Sequence, residues 1–512
     1  MNFTKNINNL LLIYLVLPLI LFLLFWVKLG IALPVSIITL YAIKFEYISE
    51  LKIKLSVKLV VFSIIICSLG GVGGYVFQSG DYEKHNQIFH DIIVKPSPTI
   101  YSNGDFLCYY LAYYITPSIF SKIVGIENAR LISFLYTIIG VFLVFTSMSN
   151  QFKTKNPLLF SLIFVFMSGL DIIKILFDIN FITQYKTLLI NILHLEVSKN
   201  ELFLFLKSFL LRMNDTRIFF SDFNFSHGVL FVSQIGQFTL APQHLLGAWI
   251  STLLIYSYIK ERNLPKAILV ICVTLFWSPF VFIGLIPYVL YLLFIIKKEI
   301  SLSLILKCLL PLPLFFILIL YFGSHYPDLS HLEFLIAFFQ NPVDFVKLLF
   351  FLFVEIGIYY IMVQYFSSKY DLPKEMKKLL NISFISLIII SSFNMGIFND
   401  FIIRASLPSL IILYSTTLYV FFNLFQRNPP RRIKFIIITM LTIACLEGIS
   451  MCFTHYFNKD KIPQSSIIAP NFTDITKVTY EFYGNHIDIS KQYLGQEKSL
   501  FYKYLLKNSS DK

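Results

Sequence analysis

A short polar motif directly after an early apolar run holds the residues of this sequence best suited to chemistry. Ionisable side chains other than tyrosine crowd the segment from 81 to 91: Asp81, Glu83, Lys84, His85, His90 and Asp91. If this segment is helical, Asp81 and His85 lie one turn apart on one face. Asp81 could then act as a general base, or with Asp91 and His85 hold a divalent cation such as Mg²⁺ or Mn²⁺ beside a phosphate leaving group. The alternative is a solvated loop in which Asp81 only caps a helix N-terminus.

Other polar residues stand at the ends of later apolar runs. Asp171 ends one run, where a lipid-facing carboxylate would be costly, so we expect it to face a water-filled cavity or to pair with Lys174. Gln243 and His244 open another run after Pro242, a residue favoured in a first helical turn. His244 could carry a proton or donate to a diphosphate, or it could only bond a backbone carbonyl.

Asn399, Asp400 and Arg404 occupy a short stretch between two apolar runs. The planar fork of arginine suits a phosphate or diphosphate, so this stretch is a second phosphate-binding hypothesis. The alternative is an internal Asp400–Arg404 salt bridge at i, i+4. Glu355 and Glu447 fall inside apolar runs, and we interpret them as hydrogen-bonded interior groups.

The elements that must position these residues are membrane helices. The chain has 512 residues, 57% of them hydrophobic and only 14% charged, whereas soluble domains carry roughly a quarter charged residues. A bilayer core needs about 20 apolar residues per helix. The sequence therefore predicts an all-α polytopic transmembrane bundle of about thirteen spans, near residues 10–28, 30–46, 57–77, 131–149, 157–173, 240–259, 266–281, 283–297, 302–322, 346–366, 379–396, 405–426 and 435–453.

The distribution of charge predicts the orientation of these spans. The net charge of +13 would suggest nucleic acid in a soluble protein, but basic residues cluster in short segments between apolar runs, at 52–58, 260–266, 297–298, 374–378 and 427–434. Cytoplasmic loops of membrane proteins show this pattern, so we expect membrane lipids and no nucleic acid as partners. The N-terminus is predicted inside and the C-terminus outside, with Lys and Arg roughly threefold denser in the inner segments. All nine histidines then fall on the outer side or at outer span ends.

The same topology predicts two regions, a transmembrane domain over 1–453 and a small outer tail over 454–512. The segment 106–125 is long enough to span, but it is rich in tyrosine, and a crossing there would invert every later loop. Tyrosine is favoured at membrane interfaces, so we predict an interfacial helix. The six cysteines have no CxxC spacing and lie mostly in apolar runs, which argues against a zinc ribbon or a disulfide framework.

The order of these motifs resembles the GT-C glycosyltransferases, which use polyprenyl-phosphate sugars in membranes. The resemblance rests on the acidic motif after an early span, the aromatic-rich segment that follows, and Asn128-Ala129-Arg130 at the start of the next span. It extends to a poorly characterised bacterial branch of GT-C type through the short motifs Ser168-Gly169-Leu170-Asp171, His194-Leu195-Glu196, Ala241-Pro242-Gln243-His244 and Asn399-Asp400-Phe401-Ile402-Ile403-Arg404. The chain lacks the WWDYG-like signature of better-known members.

The resemblance implies an inverting enzyme of cell-envelope polysaccharide biosynthesis in the bacterial cytoplasmic membrane. It would transfer a sugar from a polyprenyl-phosphate donor to a lipid-linked glycan or another acceptor at the outer face. Asp81 matches the family's essential acid best, with His85, Asp91 and Asp171 in supporting or metal-binding roles. His244 and Arg404, with their neighbours Gln243, Asn399 and Asp400, would bind the departing phosphate.

Two other functions remain open from the sequence. An O-antigen-type polysaccharide polymerase or ligase would use outer arginine and histidine without an acidic base. A lipid or polysaccharide transporter or flippase would need polar groups near the bilayer midplane and usually repeated halves. Glu355 and Glu447 are the residues inside apolar runs that meet the first requirement, and the sequence shows no strong repeat.

Overall fold

The computed structural model describes residues 2–43, 56–170, 231–326, 333–334, 342–369, 372–395, 399–457, 467–470, 474–482 and 485–507. The chain divides into two compact units. Unit 1 comprises Met1–Leu158, Phe238–His331 and Ile462–Lys512, and unit 2 comprises Leu159–Gln237 and Leu332–Lys461. The tail expected as a separate region after residue 453 is therefore grouped with unit 1 from Ile462 onward.

Helices make up most of the described chain. In order they are α1 (Asn2–Trp26), α2 (Leu29–Ile43), α3 (Val57–Leu69), α4 (Tyr82–Val94), α5 (Ala112–Val124), α6 (Ala129–Gln151), α7 (Pro157–Phe166), α8 (Gln234–Leu240), α9 (Pro242–Glu261), α10 (Leu264–Trp277), α11 (Pro279–Ile296), α12 (Leu302–Leu309), α13 (Leu312–Phe322), α14 (Pro342–Leu352), α15 (Ile358–Lys369), α16 (Lys374–Ile390), α17 (Asp400–Ala405), α18 (Leu407–Gln426) and α19 (Arg431–Phe457). A π-helical turn, Phe353–Gly357, joins α14 to α15.

The described strands are short and form three antiparallel pairs. Strand β1 (Phe106–Leu107) pairs with β6 (Leu494–Gly495), β2 (Glu333–Phe334) with β3 (Phe393–Asn394), and β4 (Thr479–Phe482) with β5 (Asn485–Asp488). The prediction of an all-α architecture is therefore confirmed.

Seven helical stretches among the described residues are long and apolar enough to cross a membrane: Asn6–Trp26, Ile126–Gln151, Pro279–Glu299, Leu302–Phe322, Leu348–Ser367, Leu407–Gln426 and Arg431–Phe453. Several carry large apolar side chains on their outer surface, such as Leu302, Phe316 and Phe435, which are 73%, 60% and 71% exposed. A soluble protein rarely exposes such faces, and lipid is the solvent that suits them. The chain is a multi-pass membrane protein.

Two predicted spans depart from a single regular helix. The apolar run at 57–77 is helical only to Leu69, because Gly71 and Gly73 take φ values of 76° and 73° that a right-handed helix cannot contain. The stretch at 302–322 consists of α12 and α13, joined by a turn at Leu310 and Pro311 whose backbone stays in the right-handed helical region. Glycine in the first run ends a helix that hydropathy alone would continue.

Helix α9 is the central helix of unit 1. It packs against α1, α6, α10 and α11, and its residues from Pro242 to Ile259 are buried. Near its C-terminal end, Asn8 donates to Ser257 Oγ at 2.7 Å, and Gln151 donates to the Leu253 carbonyl at 3.1 Å. Hydrogen bonds of this kind hold membrane helices together where lipid removes the hydrophobic driving force between them.

Helices α4 and α5 and the tail lie together at the opposite end of unit 1. Helix α4 packs against α5, and α5 packs against α1 and α6. The tail pairs its β6 strand with β1, and the Lys507 N–H donates to the Trp26 carbonyl at the end of α1. Helix α5 has 13 residues, a length of about 20 Å, whereas a bilayer core is about 30 Å thick.

Candidate functional site

The predicted polar motif forms the start of α4. The helix begins at Tyr82, and the N–H groups of Lys84 and His85 both donate to the Asp81 carbonyl at 3.2 Å. The Asp81 side chain makes no bond to the N–H groups of the first turn, so the capping role that competed with a chemical one is not observed. Its carboxylate instead accepts a hydrogen bond from Lys84 Nζ at 3.0 Å, and 44% of the side chain is exposed. Asp81 is an accessible carboxylate beside a cation.

His85 is buried and links three segments. Its Nε2 lies 3.1 Å from the Leu240 carbonyl and its Nδ1 lies 2.6 Å from the Tyr114 hydroxyl. A carbonyl can only accept, so Nε2 must donate and Nδ1 accepts the tyrosine proton. Both ring nitrogens of the neutral imidazole are thereby used in joining α4 to α5 and to the chain before α9. This geometry favours a structural role for His85.

Asp91 is held in the same way, at the other end of α4. It is 1% exposed and accepts hydrogen bonds of 2.8 Å from Gln87 Nε2 and from the Tyr101 hydroxyl. His90 Nδ1 and Lys95 Nζ lie 3.6 and 3.9 Å from its oxygens. Burial raises the pKa of Tyr101 well above its usual value, and the charge of Asp91 raises it further, so Tyr101 stays a donor. Asp91 anchors the chain around it.

Asp81, His85 and Asp91 do not converge on one cation. Ten residues of helix separate the two carboxylates, a rise of about 15 Å, whereas the ligands of one Mg²⁺ lie about 2 Å from it. Among the described residues, no group of three or more His, Cys, Asp or Glu side chains could hold a metal ion. The shared Mg²⁺ or Mn²⁺ site predicted for these three residues does not fit this geometry.

Gln243 and His244 lie in the first turn of α9 and are buried. Ser278 Oγ accepts a hydrogen bond from the Val281 N–H and lies 2.7 Å from His244 Nδ1, within hydrogen-bond distance. The ring of Tyr110 contacts the imidazole edge. In this arrangement His244 joins α9 to the N-terminus of α11, and no solvent reaches it.

The predicted arginine motif belongs to unit 2. Arg404 Nη2 lies 2.8 Å from the Asp400 carboxylate, so the internal salt bridge proposed as the alternative to phosphate binding is present. Asn399 has φ of 52° and is buried, and its side-chain oxygen accepts from the Ile402 and Met395 N–H groups. Asn399 therefore shapes the turn that begins α17. Asp171 lies outside the described residues.

The two acidic residues predicted inside spans also lie in unit 2. Both oxygens of Glu447 accept from the Ser233 N–H at 3.2 Å, which confirms its expected hydrogen bonding. Glu355 is 1% exposed in the π-helical turn and packs directly on Gly169, where a Cβ atom would overlap its carboxylate. Single-turn π-helices within α-helices frequently mark functional positions.

Sequence reasoning gave no role to the residues that hold α4 in place. The Tyr82 hydroxyl donates to the Gly70 carbonyl at 2.6 Å, and Asn86 Nδ2 donates to Gln78 Oε1 at 2.8 Å. The signal available in the sequence was the glycine run at 70–74, which interrupts an apolar stretch just before the polar motif.

The chain matches no family model, no curated protein sequence and no solved structure.

Proposed function

We propose that this protein is a membrane glycosyltransferase that transfers a sugar from a polyprenyl-phosphate donor to a lipid-linked glycan or another acceptor. One observation supports the proposal most. Of the polar groups of the motif that were expected to do chemistry, His85 and Asp91 are buried and hydrogen-bonded, whereas the Asp81 side chain is 44% exposed, makes no hydrogen bond to the N–H groups of the first turn and precedes a well-packed helix. A carboxylate presented in this way suits proton transfer with a bound substrate.

In the proposed reaction Asp81 accepts the proton of an acceptor hydroxyl. The hydroxyl oxygen attacks the anomeric carbon of the donor sugar as the bond from that carbon to the phosphate oxygen breaks. The polyprenyl phosphate leaves with the electron pair, and attack from the opposite face inverts the configuration. Lys84 keeps a positive charge within hydrogen-bond distance of Asp81. In the proposed reaction this cation lies close to the negative charge of the reacting groups.

The phosphate-binding part of the proposal concerns His244, Gln243 and the motif Asn399, Asp400 and Arg404. His244 would donate to a phosphate oxygen only after the buried first turn of α9 becomes accessible. Arg404 is 19% exposed and would exchange Asp400 for a phosphate. An O-antigen-type polymerase or ligase would rely on these residues without Asp81.

The proposal includes a location and a topology. About thirteen spans, an inner N-terminus and an outer tail would place α4 on the outer face of a bacterial cytoplasmic membrane. A lipid-linked donor reaches its site laterally from the bilayer, so a reaction at this surface, beneath loops and short helices, suits such a substrate.

A transporter is the second candidate, and Glu355 and Glu447 favour it. Both are carboxylates within helical stretches that can span the membrane, and such residues often mark ion or substrate pathways. The two candidates make different demands, because glycosyl transfer requires the charge of Asp81 and transport requires the intramembrane acids.

The deciding experiment is complementation of a strain that lacks the gene, with mass spectrometry of its lipid-linked intermediates. Asp81→Asn keeps the size of the side chain and removes its charge, and we expect transfer to fall about 10²–10⁴-fold at normal protein level. Glu83→Gln is the matched control, because it removes a carboxylate charge two residues away in the first turn of α4. This variant should behave as wild type. Normal processing by Asp81→Asn contradicts the proposal, and loss of function by Glu355→Gln instead supports transport.

A further inference from the structure

The glycine turn between α3 and α4, defined as Gly70–Gly74, is held by side chains from two directions. Gly71, Gly73 and Gly74 have φ values of 76°, 73° and 68°, so the turn depends on residues without a Cβ atom. Four of its carbonyls accept hydrogen bonds from side chains: Gly70 from Tyr82, Gly71 from Gln78, Gly73 from Arg130 and Gly74 from Arg130. The turn is therefore a fixed point of unit 1.

The start of α4 is hydrogen-bonded to one side of this turn. Tyr82, the residue after Asp81, bonds Gly70, and Gln78 bonds Gly71 while accepting from Asn86. The Tyr82, Gln78 and Asn86 side chains are all buried. Buried polar groups that lose a partner pay a desolvation penalty, so these bonds fix the first turn of α4 in one position.

Arg130 holds the other side of the turn. Its Nε donates to the Gly73 carbonyl at 2.8 Å and its Nη2 donates to the Gly74 carbonyl at 2.6 Å. The guanidinium carbon lies 4.7 Å from the centre of the Tyr75 ring, in a cation–π contact. Arginine is suited to this position because its planar fork reaches two acceptors at once, which a lysine ammonium cannot do in the same rigid geometry.

We propose that Arg130 is a positioning residue for Asp81. Arg130 holds the glycine turn by hydrogen bonds, and the turn fixes the position of the first residues of α4. The contacts of Arg130 are with Gly73, Gly74 and Tyr75, so it acts on Asp81 through the glycine turn. The catalytic consequence rests on the proposed function, whereas the placement of α4 does not. A displacement of about 1 Å at a reacting group can lower the rate about 10²-fold. A loosened glycine turn should therefore lower the rate of sugar transfer.

Helix α4 supplies its own control, because a second cation holds its other end. Lys122, in the last turn of α5, donates to the carbonyls of Ile92 and Lys95 at the C-terminal end of α4. Removing Lys122 should loosen that end and leave the Asp81 end in place. Arg130 and Lys122 therefore distinguish a local positioning effect from a general weakening of α4.

The test uses the full chain in lipid nanodiscs, with the six native cysteines replaced and a nitroxide attached to Gly80→Cys. Gly80 precedes Asp81, and a Cβ atom there meets no other group within 4 Å. We expect Arg130→Lys to increase the mobility of the label and to lower transfer about 10²-fold, whereas Lys122→Met leaves the label spectrum unchanged. Lysine keeps the charge, so a role of charge alone predicts rescue by this variant.

Tyr82→Phe, which removes only the bond to Gly70, provides a second and milder test should Arg130→Lys not accumulate. An unchanged label spectrum in both Arg130→Lys and Tyr82→Phe overturns the proposal, as does equal mobilisation by Lys122→Met. A mobile label in Arg130→Lys together with normal transfer in Asp81→Asn would leave the positioning of α4 standing and refute the proposed function.

Discussion

Side chains of the same type differ in burial within the polar motif. Asp81 and Asp91 are both aspartates on one helix, yet the first is 44% exposed beside Lys84 and the second is enclosed by Gln87 and Tyr101. An exposed carboxylate can exchange its partners for a substrate at little cost. A buried one that accepts two short hydrogen bonds stabilises the fold, and its replacement is a structural change.

We therefore expect Asp91→Asn to lower stability where Asp81→Asn does not. The asparagine places an NH₂ group where Gln87 or Tyr101 needs an acceptor. The free energy of unfolding should therefore fall by about 1–3 kcal/mol. The loss should appear as a lower Tm for Asp91→Asn than for Asp81→Asn. Thermal unfolding of the purified variants in detergent measures it. A Tm for Asp91→Asn equal to that of Asp81→Asn would contradict the structural role.

At the scale of elements, α4 and α5 form a layer at one end of unit 1. Helix α5 buries the face that contacts α1, α4 and α6, and it exposes Phe120, Ile123 and Val124 near its C-terminal end. A helix with a packed face and an exposed apolar face is suited to the membrane interface. Its length of about 20 Å is short of the hydrocarbon thickness.

We expect that α5 does not cross the bilayer, so positions before and after it should be reached from the same side. Single cysteines at Asn103 and Glu127, which are both exposed, flank the helix. An impermeant thiol reagent added to intact cells should label both. Labelling of one position from outside and of the other only after the cells are opened would show that α5 spans.

Helix ends of unit 1 lie in two groups. The Trp26 carbonyl, at the end of α1, accepts from the Lys507 N–H of the tail, and Phe322, the last residue of α13, contacts Tyr110, while Asn8 and Ser257 meet at the opposite end. The predicted topology, with the ends of α1 and α13 outside, stays a prediction. Which side faces the cytoplasm depends on the basic residues, since the helix packing is the same in either orientation.

The predicted orientation places the connection between α9 and α10 inside the cell. Asn263 caps α10 there, and Lys260, Arg262 and Lys266 surround it in sequence. A cysteine at position 263 should resist an impermeant reagent applied from outside, while one at Gly80 should react. The opposite result would invert the topology and move Asp81 to the cytoplasmic face, where the proposed outer-face reaction could not occur.

The class of this protein follows from its residues alone. Hydropathy sets which segments leave water for lipid, and that term depends on composition rather than on any partner. For this reason the all-α architecture and the membrane location could be predicted from the residues alone, whereas the polar segment at 82–94 could be a helix or a loop. The span predicted at 57–77 was wrong in its extent, because the structure gives Gly71 and Gly73 positive φ values that end the helix at Leu69.

Which residues of the motif remain accessible depends on contacts that the folded chain makes. Asp81, His85 and Asp91 belong to one short motif, but Tyr114 and Leu240 reach His85, and Tyr101 reaches Asp91, from outside that motif. The same is true of Arg130, whose bonds to Gly73 and Gly74 span more than fifty residues of sequence. Hydrogen bonds between distant segments depend on geometry that composition and spacing do not contain, and they separate the exposed carboxylate from the buried ones.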